Sequence, residues 1–267
     1  MAIRRPDLPL SGRRILVCRP EPEAQRLAQY LEGAGADVRV LPLLERIDIP
    51  ENLAQRTLIQ DLDLFRHVVA VSPHAARLLL ARIDAWWPQF PTDLYWYGVG
   101  AGTAAVFEAA GLSPQVPREG FSSEHLLALP TLKSPSGERV LLAQGERGRE
   151  LIHDTLKERG AAVSRLILYR RQPPALAAAD VESQLVTFNP DAVVALSGET
   201  LNNLIALGEN NDHNLKQRLL VVPVERVAQE ARRCGFHNLC LPANLTDDAI
   251  AAGIASHLGR RDRKPSI

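Results

Sequence analysis

Short apolar runs alternate along the chain with segments of helical periodicity. The first run, Arg14–Val17, is followed by Ala24, Leu27 and Leu31 at helical spacing and by a helix stop at Gly35. Most of the runs are continuously apolar, which is typical of parallel strands covered by helices on both faces. The pattern therefore predicts an α/β fold of doubly wound parallel sheets built from right-handed βαβ units.

The same pattern predicts strands in both halves of the chain. Proline residues at Pro50 and Pro173–Pro174 mark connectors between them. We expect the strands near residues 14–18, 38–43, 67–72, 94–99, 114–117, 139–143, 163–169, 192–197, 219–223 and 239–242.

The chain also contains an internal duplication, in which segments match at an offset of 125 residues (197 − 72 = 125). A repeat of this kind predicts two structural units of one design. The matching pairs are Arg14–Val17 with Arg139–Leu142, Gly35–Ala36 with Gly160–Ala161, Val68–Ser72 with Val193–Ser197, Leu94–Tyr97 with Leu219–Val222, and Pro117 with Pro242.

Charge and cysteine content restrict the partners and the compartment. Basic and acidic residues balance at 31 each, so no positive field indicates nucleic acid or an anionic membrane. No run approaches the roughly 18 apolar residues of a membrane span, and the N-terminal segment lacks the apolar core of a secretory signal. The three cysteines cannot all pair in disulfides. We expect a cytoplasmic protein that binds neither nucleic acid nor membrane.

Small and polar residues follow the predicted strands. In open α/β sheets, ligands bind beyond the carboxyl ends of the strands, where helix N-termini favour anions. Simple helix capping is the competing interpretation for Ser72, Ser122, Ser197 and Thr246. The segments are Arg19–Pro20, Ser72–His74, Gly98–Thr103, Glu119–Glu124, Gln144–Arg149, Ser197–Thr200 and Pro223–Arg226.

Other motifs are weaker. Gly98-x-Gly100-x-Gly102 departs from the dinucleotide-binding pattern, since its third glycine comes one position early and no acidic residue follows at the expected distance. Cys234-x-x-His237-x-x-Cys240 lacks a second ligand pair, so no metal site is predicted. A two-domain α/β module that binds a small ligand without turnover stays open as the alternative to an enzyme.

An ordered set of motifs resembles the uroporphyrinogen-III synthase family. The resemblance runs from about residue 13 to 258, nearly the whole chain. Each motif alone is weak, and the order makes the set specific. The motifs are Val17–Pro20, Gly35–Val38, Val71–Ala75, Tyr97–Ala104, Gly120–Leu127, Gln144–Arg149, Leu168–Arg171 and Leu196–Ser197.

The resemblance implies a domain arrangement and a reaction. One α/β domain combines residues 1–42 with 172–267, the other holds 46–168, and a two-stranded linker formed by the segments near 42–48 and 168–174 joins them. The implied substrate is hydroxymethylbilane and the product is uroporphyrinogen III, formed by a lyase without metal or organic cofactor. We also expect a monomer with a hinge between the domains, and transient contact with hydroxymethylbilane synthase.

The same resemblance implies that Tyr169 assists departure of the substrate hydroxyl. The competing interpretation is that Tyr169 is a linker tyrosine that packs between the domains. Many members of the family carry a threonine in the turn after the strand at 219–223, whereas this chain has Val224-Glu225-Arg226 there. The residues that we expect to bind substrate are Arg19, Ser72, Gly100, Thr103, Ser123, Gly145, Arg149, Ser197 and Arg226.

Overall fold

The chain folds into two compact units in a computed structural model that describes residues 8–117, 122–148, 150–209 and 215–261. Unit 1 runs to Glu45 and resumes at Gln172, and unit 2 spans Arg46–Arg171. Each unit contains one five-stranded sheet with helices packed on it. The predicted α/β class with two sheets of mainly parallel strands is confirmed.

The secondary-structure elements follow the predicted alternation. The strands are β1 (Arg14–Val17), β2 (Asp37–Val40), β3 (Glu45–Asp48), β4 (His67–Ala70), β5 (Tyr95–Gly98), β6 (Arg139–Gly145), β7 (Ala162–Gln172), β8 (Ala192–Val194), β9 (Leu219–Val221) and β10 (Leu239–Cys240). The helices are α1 (Glu23–Gly33), α2 (Leu53–Gln60), α3 (Pro73–Asp84), α4 (Ala101–Ala109), α5 (Ser123–Leu127), α6 (Pro130–Lys133), α7 (Leu151–Glu158), α8 (Ala178–Glu182), α9 (Gly198–Glu209), α10 (Glu225–Arg233) and α11 (Asp247–Arg261).

Four strands of each sheet repeat one topology, β9-β8-β1-β2 in unit 1 and β5-β4-β6-β7 in unit 2, while the fifth strands, β10 and β3, lie at opposite edges. Unit 1 has the strand order β10-β9-β8-β1-β2 and unit 2 has β3-β7-β6-β4-β5. Ile15 pairs with Ala192, and Val140 pairs with His67, so both central pairs keep the offset of 125 residues (140 − 15 = 125 and 192 − 67 = 125). The first repeat supplies β1 and β2 to unit 1, and β4 and β5 to unit 2. Each unit is therefore assembled from parts of both repeats.

Three local predictions need correction. The β5 and β9 strands correspond at an offset of 124, because His67 pairs with Tyr95 while Ala192 pairs with Leu219 (219 − 95 = 124). The strand predicted near 114–117 is reduced to one bridge between Tyr97 and Gln115. The strands expected from apolar runs did not include β3, because Glu45–Asp48 is charged; this strand lies in the segment near 42–48 that the family resemblance assigned to the two-stranded linker.

Each sheet is buried on both faces, as its continuous apolar strands predicted. In β1, Ile15 and Val17 pack into one apolar cluster and Leu16 into the cluster on the opposite face. In unit 2, the consecutive β6 residues Leu141 and Leu142 pack into two different apolar clusters in the same way. In the part of the chain that the structure describes, no helix has the length and apolar character to cross a membrane.

We expect Leu141→Ala to lower the free energy of unfolding by about 2–5 kcal/mol, because Leu141 is fully buried and its truncation leaves a cavity. Urea unfolding measures the change. Leu53→Ala is the matched control, since Leu53 is 75% exposed, and it should shift stability by less than about 0.5 kcal/mol. Equal losses in the two variants would contradict this assignment of the core.

Candidate functional site

Tyr169 lies near the carboxyl end of β7, opposite the last residue of β6. The register between these strands shifts after Gln144, which pairs with Ile167, so that Gly145 pairs with Tyr169. Irregularities of this kind re-aim side chains. Here Tyr169 packs into the same apolar cluster as Leu168, its neighbour in sequence, where a regular strand would send the two to opposite faces.

The Tyr169 ring lies directly on the backbone of Gly145. A Cβ added at Gly145 would lie 2.8 Å from Cε2 of Tyr169 and 2.9 Å from its Cζ. Only a residue without a side chain allows this approach. The Tyr169 residue is 7% exposed, and its carbonyl accepts a hydrogen bond of 2.7 Å from the Glu146 N–H. The ring and its backbone are therefore both held in place.

The phenol hydroxyl of Tyr169 contacts the N-cap of α3, the helix that follows β4, and β6 lies between β4 and β7 in the sheet. Ser72 is the N-cap of α3, and its Oγ accepts a hydrogen bond of 3.1 Å from the Ala75 N–H. The same Oγ lies 3.3 Å from the Tyr169 hydroxyl oxygen. Capping of α3 and contact with Tyr169 thus coexist at Ser72, and its predicted role in substrate binding stays a prediction.

His74 contacts the Tyr169 ring from the first turn of α3. The ring centroids are 4.7 Å apart and the planes meet at 76°, an edge-on aromatic contact. Nε2 of His74 lies 3.2 Å from Oδ1 of Asp48, a residue of β3. Burial lowers the pKa of His74 from its ordinary value, and the Asp48 carboxylate opposes that effect.

The glycine-rich turn after β5 starts α4 with Gly100 as its N-cap. Gly98 packs against this helix, since a Cβ there would lie 2.8 Å from the Ala104 nitrogen. Thr103 is buried, and its N–H donates a 2.9 Å hydrogen bond to the Gly100 carbonyl. Close packing of the strand on the helix accounts for Gly98, and the half-buried Gly100 forms the turn that starts the helix.

Ser123 is the first residue of α5, and the cap of this helix is its neighbour. The Ser122 Oγ accepts a 3.4 Å hydrogen bond from the His125 N–H. The Ser122 Oγ also lies 2.7 Å from Nδ1 of His125. The capping interpretation of Ser122 is confirmed, and the predicted role of Ser123 stays a prediction. Arg149, predicted to bind substrate, lies outside the described residues.

In unit 1, Arg19 follows β1 and lies near the start of α11. Its Nη1 is 3.9 Å from Oδ1 of Asp247, the first residue of that helix. The Asp247 carboxylate also accepts hydrogen bonds from Arg26, of 2.8 Å from Nε and 3.3 Å from Nη2. One carboxylate therefore hydrogen-bonds to Arg26 and makes a longer charge contact with Arg19 at this strand end.

The other predicted residues of unit 1 meet at the turns after β8 and β9. The Ser197 Oγ accepts a 3.0 Å hydrogen bond from the Thr200 N–H and lies 2.8 Å from the Thr200 hydroxyl. Arg226 is exposed in the first turn of α10, and a Cβ added at Gly198 would lie 4.0 Å from its Nη2. Arg226 thus lies beside the Ser197 turn.

The structure brings Tyr169, Ser72 and Gly145 into direct contact within unit 2. Sequence reasoning missed Asp48, which carried no signal, and gave His74 no role although it follows the Ser72 motif. Among the described residues, one group has the spacing of metal ligands: Glu150, His153 and Asp154, whose ligand atoms lie within 4.8 Å of one another. Both carboxylates are exposed, and such groups are common on protein surfaces.

The fold and these turns define a two-domain α/β protein whose carboxyl sheet edges present small and polar residues, the usual ligand position in such folds. A family model described as HEM4, uroporphyrinogen-III synthase HemD, matches residues 25–252. The chain belongs to the uroporphyrinogen-III synthase family, and the resemblance seen in its motifs is confirmed.

Individual relatives agree with this membership. The chain is 32% identical to the uroporphyrinogen-III synthase of Escherichia coli, over 88% of this chain and 97% of that protein. It is 30% identical to the Salmonella typhimurium enzyme with the same coverage. A solved uroporphyrinogen III synthase structure from Thermus thermophilus is similar in fold, with a TM-score of 0.62 at 19% identity over 93% of this chain and 100% of that one. The Helicobacter pylori structure gives 0.60 at 12% identity, over 94% and 100%.

We expect Gly145→Ala to lower the free energy of unfolding by about 1–3 kcal/mol, because the new methyl group would overlap the Tyr169 ring. Denaturant unfolding measures this. Gly148→Ala is the matched control: a Cβ there meets nothing within 4 Å. It should change stability by less than about 1 kcal/mol. A Gly145→Ala protein as stable as its control would show that the ring does not rest on this backbone.

Proposed function

We propose that this chain is an active uroporphyrinogen-III synthase. It is a lyase that converts hydroxymethylbilane to uroporphyrinogen III with loss of one water. Family membership over residues 25–252 supports the overall reaction. The single observation that carries the assignment of the site is the Tyr169 phenol, fixed between Gly145 and Ser72.

The first step breaks the bond between the hydroxymethyl carbon and its oxygen. The nitrogen lone pair of the electron-rich pyrrole supplies the electrons, and the hydroxyl leaves as water after it receives a proton. The product is an azafulvene cation. Tyr169 donates the hydrogen bond that helps the hydroxyl leave, since the phenol O–H is a hydrogen-bond donor.

The second step joins the new cationic carbon to the last ring at its substituted carbon, which gives a spiro intermediate. The bond from that carbon to the older bridge then breaks and leaves a second azafulvene on the neighbouring ring. The free carbon of the last ring closes the macrocycle and loses its proton. No external oxidant or reductant is needed, and the last ring ends inverted.

The protein's contribution in this proposal is chiefly orientation. Holding the last ring so that its substituted carbon attacks, instead of its free carbon, is positional catalysis. The eight carboxylates of the substrate are met by arginines and by helix N-terminal N–H groups. The proposed contacts are Arg19, Arg149 and Arg226, with the turns at Ser72, Gly100, Thr103, Ser123, Gly145 and Ser197.

The remaining expectations belong to the same proposal. The proposed reaction uses no metal or organic cofactor, because the pyrrole itself expels the leaving group. We propose that the chain works as a cytoplasmic monomer and receives its substrate through transient contact with hydroxymethylbilane synthase. We also propose that the chain has two domains, residues 1–42 with 172–267 and residues 46–168, and that a hinge lies between them.

Product analysis tests the function. The protein is given hydroxymethylbilane, the products are oxidised, and isomers I and III are separated by chromatography. We expect isomer III in excess over the isomer I that forms spontaneously. Isomer I alone, from folded protein, would contradict the proposal and favour a binding module without turnover.

Tyr169→Phe tests the role of the phenol. We expect it to lower kcat for isomer III about 10²-fold, the lower end of the effect of a positioned proton donor. Tyr30→Phe is the matched control, since Tyr30 is 46% exposed on α1, and it should keep full activity. Equal rates in the two variants would remove Tyr169 from the chemistry and leave it a packing residue.

A further inference from the structure

His74 is a titratable side chain that touches the Tyr169 ring. The imidazole meets the phenol ring edge-on at 4.7 Å, and its Nε2 lies 3.2 Å from the Asp48 carboxylate. Gly145 supports the same phenol ring, and Ser72 contacts its hydroxyl. The orientation of Tyr169 therefore depends on His74 as well as on the residues predicted from the sequence.

We infer that His74 is a positioning residue for Tyr169. We also infer that its imidazole is neutral during the reaction, so that no imidazolium lies beside the substrate carbon that becomes cationic. This inference rests on the proposed function. The aromatic contact fixes the ring, and the charge state of His74 sets how readily the cationic intermediate forms. Protonation of His74 therefore slows formation of isomer III.

The charges around His74 act in opposite directions. Burial lowers its pKa, the Asp48 carboxylate raises it, and the guanidinium groups of Arg46 and Arg77 lower it further. Arg46 and Asp48 belong to the β3 region and Arg77 to α3, while β7 contributes the Tyr169 phenol. The net lowering favours a neutral ring near neutral pH. Because folding weakens proton binding here, the stability contributed by the neutral ring is lost as pH falls through the folded pKa.

The reaction explains why a neutral ring matters. Loss of the hydroxyl leaves a cation on the carbon that Tyr169 has just assisted. An imidazolium in contact with Tyr169 would lie close to that cation, and like charges in a partly desolvated site repel strongly. A neutral aromatic ring positions the phenol without this repulsion.

Two substitutions separate packing from charge. His74→Ala removes both the ring and the titration, and we expect it to lower kcat for isomer III about tenfold, the order of one aromatic contact. His74→Phe restores a ring without a proton site, so it should lose about threefold and show a flatter acid side of the pH profile. His237→Ala, at an exposed histidine of unit 1, is the control that keeps activity.

Asp48→Asn tests the charge directly. Loss of the carboxylate removes the interaction that raises the pKa of His74, so the acid side of the kcat profile should move to lower pH. Nuclear magnetic resonance of the histidine rings gives a readout without substrate. The ring signal of His74 is identified as the one missing from the spectrum of His74→Phe. Its pKa should lie below the ordinary value near 6.5, and lower still in Asp48→Asn.

The outcomes distinguish this inference from the proposed function. Wild-type protein that makes isomer III, with an acid side unchanged in both His74→Phe and Asp48→Asn, would overturn the role of His74 and leave the function standing. Full kcat in His74→Ala would overturn it also. Wild-type protein that makes isomer I alone would overturn the proposed function, while the ring titration would still show whether His74 is held neutral beside Tyr169.

Discussion

The candidate site depends on the close approach of the Tyr169 ring to the backbone at Gly145. This contact needs a strand end without a side chain and a register shift that turns Tyr169 toward the cluster already occupied by Leu168. Ser72 and His74 then reach the ring from a single helix start, because Ser72 caps α3 and Pro73 and His74 form its first turn. A phenol held on several sides loses little further freedom when a substrate binds, which is what positional catalysis requires.

The internal duplication explains why similar serine turns follow strands in both units. Four strands of each sheet share their order and, in the central pairs, their register at an offset of 125 residues (140 − 15 = 125). The Ser72 turn of unit 2 therefore has its counterpart in the Ser197 turn of unit 1, and each serine caps its helix. The copies differ where chemistry is proposed. Tyr169 lies on the long strand β7, whereas the corresponding β2 ends at Val40.

Sequence reasoning predicted the fold class, the repeat and most strand positions, because continuous apolar runs and the fixed offset are local signals. It missed β3, since Glu45–Asp48 is charged and forms a strand only as the edge neighbour of β7. The contact of Asp48 with His74 could not be predicted, because it depends on that edge pairing. The register shift beside Gly145 has no signal in a single sequence either, since register is a property of two paired strands. Family resemblance singled out Tyr169, and only the structure shows what holds it.

The central claim is that the fixed phenol serves a ring closure in which the last ring of the substrate inverts. The most direct measurement uses hydroxymethylbilane labelled with carbon-13 at the hydroxymethyl carbon and at the substituted carbon of the last ring. The spiro route joins these two carbons, so we expect a one-bond coupling between them in the product. A product in which the labelled carbons are not bonded would mean closure without inversion and would rule out this role of the site.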